Sequence, residues 1–192
     1  MIKYIFPQPI YYAPLRNWEQ IKKDILDNLD PEVEDVPHSY GSVPGHVTVD
    51  KSSYLEKIPA VLNEVDYHIH EFAKSLSIQN KFKCVHSWFN VYESNSLMAA
   101  HKHLPHDLAG VIFVQSTDKG GEFYFRNPAH DYDTIWLQQK YSTVLPHNES
   151  QHFVEQKEGH ILLFKGGIAH GVNFTGNTRK ISVSFNYEVC DE

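Results

Sequence analysis

The chain has 192 residues and a formal net charge of −7, from 17 basic and 24 acidic side chains. That length is enough for a single domain, residues 1–192, with a full core of its own. An acidic balance with no Lys/Arg-rich cluster argues against a broad nucleic-acid footprint. Cys84 and Cys190 match no disulfide framework or zinc-finger spacing. No apolar run has the length of a signal peptide or a membrane span, so the expected setting is reducing and cytoplasmic, with no membrane partner.

The first 80 residues carry helical patterning and read as a helical support region. Asn17 can cap a helix whose stripe is Trp18, Ile21, Ile25, Leu26 and Leu29, with Gln20 placed for a capping box. That helix should stop near Asp30-Pro31, because a residue before proline avoids the α conformation. A polar, acidic loop from Glu32 to Gly45 follows, and the stretch from Asp30 could serve as a lid or as plain surface. Ser53 and Glu56 form a second capping-box signal, leading into Leu55, Ile58, Leu62, Val65, Ile69, Phe72 and Leu76. Pro59 inside that pattern predicts a kink or a break.

From residue 82 the hydrophobic period changes to two. Phe82 to Tyr92, Ala109 to Gln115, Glu122 to Phe125, His160 to Phe164 and Lys180 to Glu188 read as strands. Turn signals at Asp118-Lys-Gly-Gly121, Arg126-Asn-Pro128 and Thr175-Gly-Asn177 separate them. Helices followed by strands, with no sustained alternation, predict an α+β chain whose residues 82–188 form a sandwich or barrel.

Histidine stands out, with 13 residues. His101 and His103 share a face if they lie on a strand. His170 follows the apolar strand residues 161–164 through Lys165-Gly-Gly-Ile-Ala, a route that can deliver an imidazole to a barrel mouth. Imidazole suits Zn, Cu, Ni and Fe, and two histidines plus a carboxylate favour non-haem Fe(II).

Read in order, Ser87-Trp-Phe-Asn90, His101-Lys-His103, Ala109-Gly-Val-Ile-Phe-Val114, Gly120-Gly-Glu-Phe-Tyr-Phe125, His170 and Arg179-Lys-Ile-Ser-Val-Ser-Phe-Asn186 resemble the 2-oxoglutarate/Fe(II)-dependent oxygenases. The resemblance is to a branch of small oxygenases, some of them phage-borne, related to prolyl hydroxylases, and it spans roughly residues 82–188. It implies a double-stranded β-helix (jelly roll) core with the N-terminal helices packed on one sheet. It also implies an Fe(II) cofactor, 2-oxoglutarate and O₂ as co-substrates, and succinate and CO₂ as products. For a phage-borne protein the cytoplasm would be that of the host.

The resemblance leaves two assignments open. The usual triad is His-x-Asp/Glu…His, whereas position 103 is a histidine. Either His101, His103 and His170 are all ligands, or His103 stands behind the metal and a carboxylate such as Asp107 joins it. The cation for the distal carboxylate of 2-oxoglutarate is the other. Residue chemistry favours Arg179, because a planar guanidinium grips a carboxylate with two parallel bonds. Strand parity favours Lys180, which shares its face with Ser182, Ser184 and Asn186 while Ile181, Val183, Phe185 and Tyr187 face the other way. A bulge at the start of the strand would restore Arg179. By the same alternation Asn90 and Tyr92, with Trp88, could line a co-substrate pocket, and so could Tyr124 and Asn127.

Two other readings fit parts of the pattern. His101-x-His103 with Asp107, and Gly159 through Lys165, Gly167, His170 and Asn173, approximate the two cupin motifs, which would mean metal chemistry or ligand binding without 2-oxoglutarate. A jelly-roll interaction module with incidental histidines is the other. The substrate could be a peptide, a protein or a small molecule, and oligomeric state is not readable.

Overall fold

The apolar run at 161–164 has no polar face because the strand that carries it is covered on both sides. In the computed structural model, which describes residues 7–29, 46–49, 54–92, 96–116, 120–128, 149–173, 175 and 179–190, Ile161 and Leu163 pack toward the helices and Leu162 and Phe164 toward a second sheet. In chain order the elements are β1 (Ile10–Pro14), α1 (Trp18–Asp27), β2 (His46–Val49), a 3-10 turn (Leu55–Lys57), α2 (Pro59–Ser75), β3 (Lys81–Tyr92), β4 (Met98–His101), β5 (Leu108–Gln115), β6 (Phe123–Arg126), β7 (Gln151–Val154), β8 (His160–Lys165), β9 (His170–Val172) and β10 (Lys180–Cys190). All pairings are antiparallel, in a six-stranded sheet ordered β1-β8-β5-β10-β3-β2 and a four-stranded sheet ordered β4-β9-β6-β7. Facing sheets with helices on the outside of the larger one make the expected α+β jelly roll.

Two apolar layers result. One joins Ile21 and Ile25 of α1 and Val61, Val65, Ile69 and Phe72 of α2 to the outer face of the large sheet, including Ile181, Val183, Phe185 and Tyr187. The other fills the space between the sheets with Val111, Phe113, Phe123, Phe125, Leu162 and Phe164. Polar contacts fix the helices to the strands. Tyr187 Oη donates to Asp66 Oδ1 at 2.6 Å, and Arg16 grips the buried Glu64 carboxylate through its backbone N–H and its guanidinium.

Several local expectations are revised. Asn17 is the N-cap of α1, but it sits in the left-handed region (φ 50°) with no side-chain cap, and Gln20 bonds Asp24 instead of closing a capping box. Leu26 is exposed, so the buried stripe of α1 is Ile21 and Ile25. Pro59 does break the second helical pattern: a 3-10 turn precedes it, and α2 starts with the proline in its first turn, where a missing N–H costs nothing. The N-terminal region is not purely helical, because β1 and β2 form the two edges of the large sheet. The loop from Glu32 to Gly45, Ser53 and parts of the 118–121 and 175–177 turns lie outside the described residues. Among the described residues no helix is long and apolar enough to cross a membrane.

Candidate metal centre and co-substrate pocket

His101 ends β4 and His170 begins β9, and the two residues face each other directly in the β4–β9 register. His103 lies two residues past the strand, where its backbone N–H bonds to Gly166 O at 2.8 Å. Gly166 in turn donates to Asp107 O at 3.0 Å, so the turn after β8 is laced to the segment after β4. A Cβ on Gly166 would stand 2.2 Å from His106 O, which is why this close crossing carries a glycine.

Each of the three imidazoles offers a ring nitrogen, and these atoms all lie within 4.8 Å of one another. Their outer nitrogens are committed elsewhere. His101 Nδ1 donates to Ala99 O at 3.0 Å, His170 Nδ1 to Ile168 O at 2.9 Å and His103 Nδ1 to Asn186 Oδ1 at 2.5 Å. With the proton on Nδ1, every Nε2 keeps its lone pair. His101 Nε2 and His103 Nε2 are 3.1 Å apart. Two lone pairs at that distance repel unless a cation lies between them. The spacing matches two ligands at right angles around an ion with bonds of about 2.1 Å, which are separated by about 3.0 Å.

Burial keeps all three rings neutral. Desolvation depresses the pKa of His101, takes that of His103 down to about 4, and holds His170 well below the usual histidine range, where a proton on His103 or His101 would lower it further. Trp88 stacks on His103 (centroids 5.6 Å, 19° between planes) and Phe123 on His170 (5.4 Å, 14°), which restrains both rings. The donor set therefore fits a divalent metal that accepts imidazole. Among the described residues no carboxylate joins the cluster. Asp107 is exposed, and its Oδ2 accepts the backbone N–H of Val189 at 2.9 Å, so it stands apart from the three histidines.

A cavity of about 160 Å³ opens beside the imidazoles. Lys180, Ser182, Asn90 and Tyr92 line it and are all buried, while Lys102 and Leu104, both exposed, line it at the mouth. Asn90 Nδ2 donates to Ser184 Oγ at 3.0 Å. Lys180 donates from Nζ to Gly121 O at 2.9 Å and to Gln156 Oε1, and sits 5.4 Å from the Tyr92 ring centroid. Complete burial lowers its pKa to about 7.

Three sequence expectations are corrected here. Arg179 is exposed and outside the cavity, because Lys180 pairs in register with Tyr92 and takes the inward position. The irregularity on β10 against β5 falls later, between Ile181 and Ser182, and does not turn Arg179 inward. Tyr124 also faces away. Phe123 and Phe125 point between the sheets, so Tyr124 lies on the outer face with its ring 6.3 Å from Phe153. Asn127 is bonded to Glu149 O and is not part of the cavity wall. Asn186 was visible only as part of a polar strand face, and Gln156 is a single residue in a polar loop with no signal of its own.

The family model described as "Putative 2OG-Fe(II) oxygenase" matches residues 86–186, which carry all three imidazoles and Lys180. The chain belongs to the 2OG-Fe(II) oxygenase family. It is an enzyme that uses Fe(II) as cofactor and 2-oxoglutarate as co-substrate, which sets aside the cupin and interaction-module readings. No curated protein matches the chain. Solved structures share its fold at low identity. A Pseudomonas putida prolyl-4-hydroxylase is 12% identical with a TM-score of 0.63, over 95% of this chain and 94% of that one. HygX from Streptomyces hygroscopicus, with nickel and 2-oxoglutarate bound, is 10% identical with a TM-score of 0.63, over 95% and 83%. A Trichoplax adhaerens prolyl hydroxylase in complex with a hypoxia-inducible-factor peptide fragment is 11% identical with a TM-score of 0.64, over 94% and 83%.

Proposed function

We propose that His101, His103 and His170 hold the Fe(II), that Lys180 receives the distal carboxylate of 2-oxoglutarate, and that the enzyme hydroxylates a side chain of a peptide or protein. The observation that carries the reading is one cavity walled by three converging Nε2 lone pairs and by a buried ammonium. Among the described residues no carboxylate is within ion-pair reach of Lys180, and a buried charge without a counter-ion is costly. An anionic ligand in the cavity supplies the missing charge. Ser182, Asn90 and Tyr92 add polar wall around it.

When bound, Fe(II) supplies the activation of O₂ that couples oxidative decarboxylation of 2-oxoglutarate to hydroxylation: substrate C–H, O₂ and 2-oxoglutarate give substrate C–OH, succinate and CO₂. The chain's own residues set the geometry. Three backbone- or amide-anchored imidazoles present their lone pairs with little reorganisation, and Phe113, Phe123 and Val172 keep water from the inner wall. The small volume supports a substrate that reaches in from outside. Leu104 is 68% exposed at the mouth, an apolar contact for a docked chain. The peptide complex of the Trichoplax relative shows that a protein of this fold accepts such a ligand.

The test is an anaerobic titration of metal-free protein with Fe(II) and then 2-oxoglutarate, following the visible charge-transfer band of the chelate. A band that disappears in His170→Ala and needs much more 2-oxoglutarate in Lys180→Met is expected. Tight Fe(II) binding with no band would overturn the assignment.

A further inference from the structure

Among the described residues the buried ammonium of Lys180 has two hydrogen-bond acceptors, and both are uncharged. Gly121, in the left-handed region (φ 68°), presents its carbonyl to Lys180 Nζ at 2.9 Å and also accepts Gln156 Nε2–H at 2.5 Å. Gln156 Oε1 accepts a second Nζ–H. Gln156 thus closes a three-membered clasp between the β7–β8 loop, the turn before β6 and the first residue of β10. An ammonium has three N–H donors, and these two acceptors among the described residues use two of them.

We propose that Gln156 is the positioning residue that makes this pocket selective for a 2-oxo acid with a second carboxylate, an inference that rests on Lys180 being the co-substrate cation. The amide holds the ammonium against its carbonyl partner without neutralising it. A shorter or apolar residue would leave Nζ free to swing and remove one of its acceptors. A glutamate of nearly the same shape would form an ion pair inside the protein, and the ligand's carboxylate would then meet a site already neutral. The chemistry at position 156 therefore decides whether the distal carboxylate is recognised. Glu122, the one carboxylate among the described residues whose charge is felt at Lys180, is exposed and accepts from Gly120 N, so it does not take this role.

The experiment compares 2-oxoglutarate with 2-oxovalerate, which has the same carbon count and no distal carboxylate. Dissociation constants are read anaerobically from the chelate band of Fe(II)-loaded protein. Wild type should prefer 2-oxoglutarate by about 10- to 100-fold, the range of a charge-assisted hydrogen bond to a buried ion. Gln156→Glu should erase most of that preference while leaving 2-oxovalerate affinity and Fe(II) affinity unchanged. Gln156→Ala should weaken 2-oxoglutarate alone. Thermal unfolding of each variant confirms that it is folded. If Gln156→Glu keeps the wild-type preference while Lys180→Met loses it, the role of Gln156 is overturned and Lys180 stands. If Lys180→Met keeps the preference as well, the cation lies elsewhere and both assignments fail.

Discussion

His103 Nδ1 donates to Asn186 Oδ1 at 2.5 Å, and that contact decides which of its ring nitrogens faces the other two imidazoles. Asn186 sits on β10 next to the centre of the large sheet, while His103 follows the edge strand β4 of the small one. The pair therefore ties the proposed ligand set across the two sheets.

Replacing Asn186 with leucine removes the acceptor and frees the tautomer of His103. Fe(II) or Co(II) affinity, measured by competition with a chelator, should fall by about 10- to 100-fold. Asn186→Asp keeps an acceptor and adds a negative charge, so it should bind the metal at least as tightly as wild type. Equal affinity in all three proteins would mean that the contact does not govern His103.

Binding of 2-oxoglutarate should depend on pH through Lys180. Its pKa is lowered to about 7 by burial, with Glu122 acting in the opposite direction. The other groups facing it are neutral: Gly121 O, Gln156 and the rings of Tyr92 and Phe113. Below about pH 7 the ammonium is already formed and affinity is at its maximum. Above it, binding must take up a proton, so the dissociation constant should rise about tenfold per pH unit. Isothermal titration in buffers of different ionisation enthalpy checks the proton uptake directly. In Lys180→Met the rise should vanish.

Gly166→Ala places a methyl group 2.2 Å from His106 O at the crossing that positions His103. Overpacking of this kind typically costs about 1–3 kcal/mol. A lower melting temperature and a weaker metal site should appear together, measured by calorimetry with and without Fe(II).

Tyr187→Phe provides the contrast. It removes the hydroxyl bonded to Asp66 on the helix side of β10, so it should lower stability by about 0.5–1.5 kcal/mol. Metal and 2-oxoglutarate affinities should not change, because the side chain points away from the cavity.

What could be read from the chain was whatever follows from periodicity. The alternation on 180–187 assigned Lys180, Ser182 and Asn186 to one face and Ile181, Val183 and Phe185 to the other, and the structure keeps that division. Residue chemistry pointed to Arg179, and parity prevailed because the strand pairs with β3 without a slip from Lys180 to Asn186, the one irregularity falling after Asn186. Short elements escaped notice. β4, β7 and β9 have four, four and three residues, too few for a period to register, although two of them carry proposed ligands. Tyr124 was misplaced because its strand had no polar face to orient it: Phe123, Tyr124 and Phe125 are all buried. Gln156 could not have been found, since its partners come from distant turns.

The register that sets His101 opposite His170 joins positions 69 residues apart in the sequence. Neither strand holds more than a fragment of the proposed ligand set, and His103 would add its nitrogen only when the turn at Gly166 has docked. An unfolded or half-assembled chain therefore has no comparable affinity for the ion. Under that condition free Fe(II) at a hundred times its dissociation constant would stabilise the native state by about 2.7 kcal/mol. Iron supply would then act on the lifetime of this protein as well as on its turnover, with iron-starved chains unfolding, and being degraded, more readily than loaded ones.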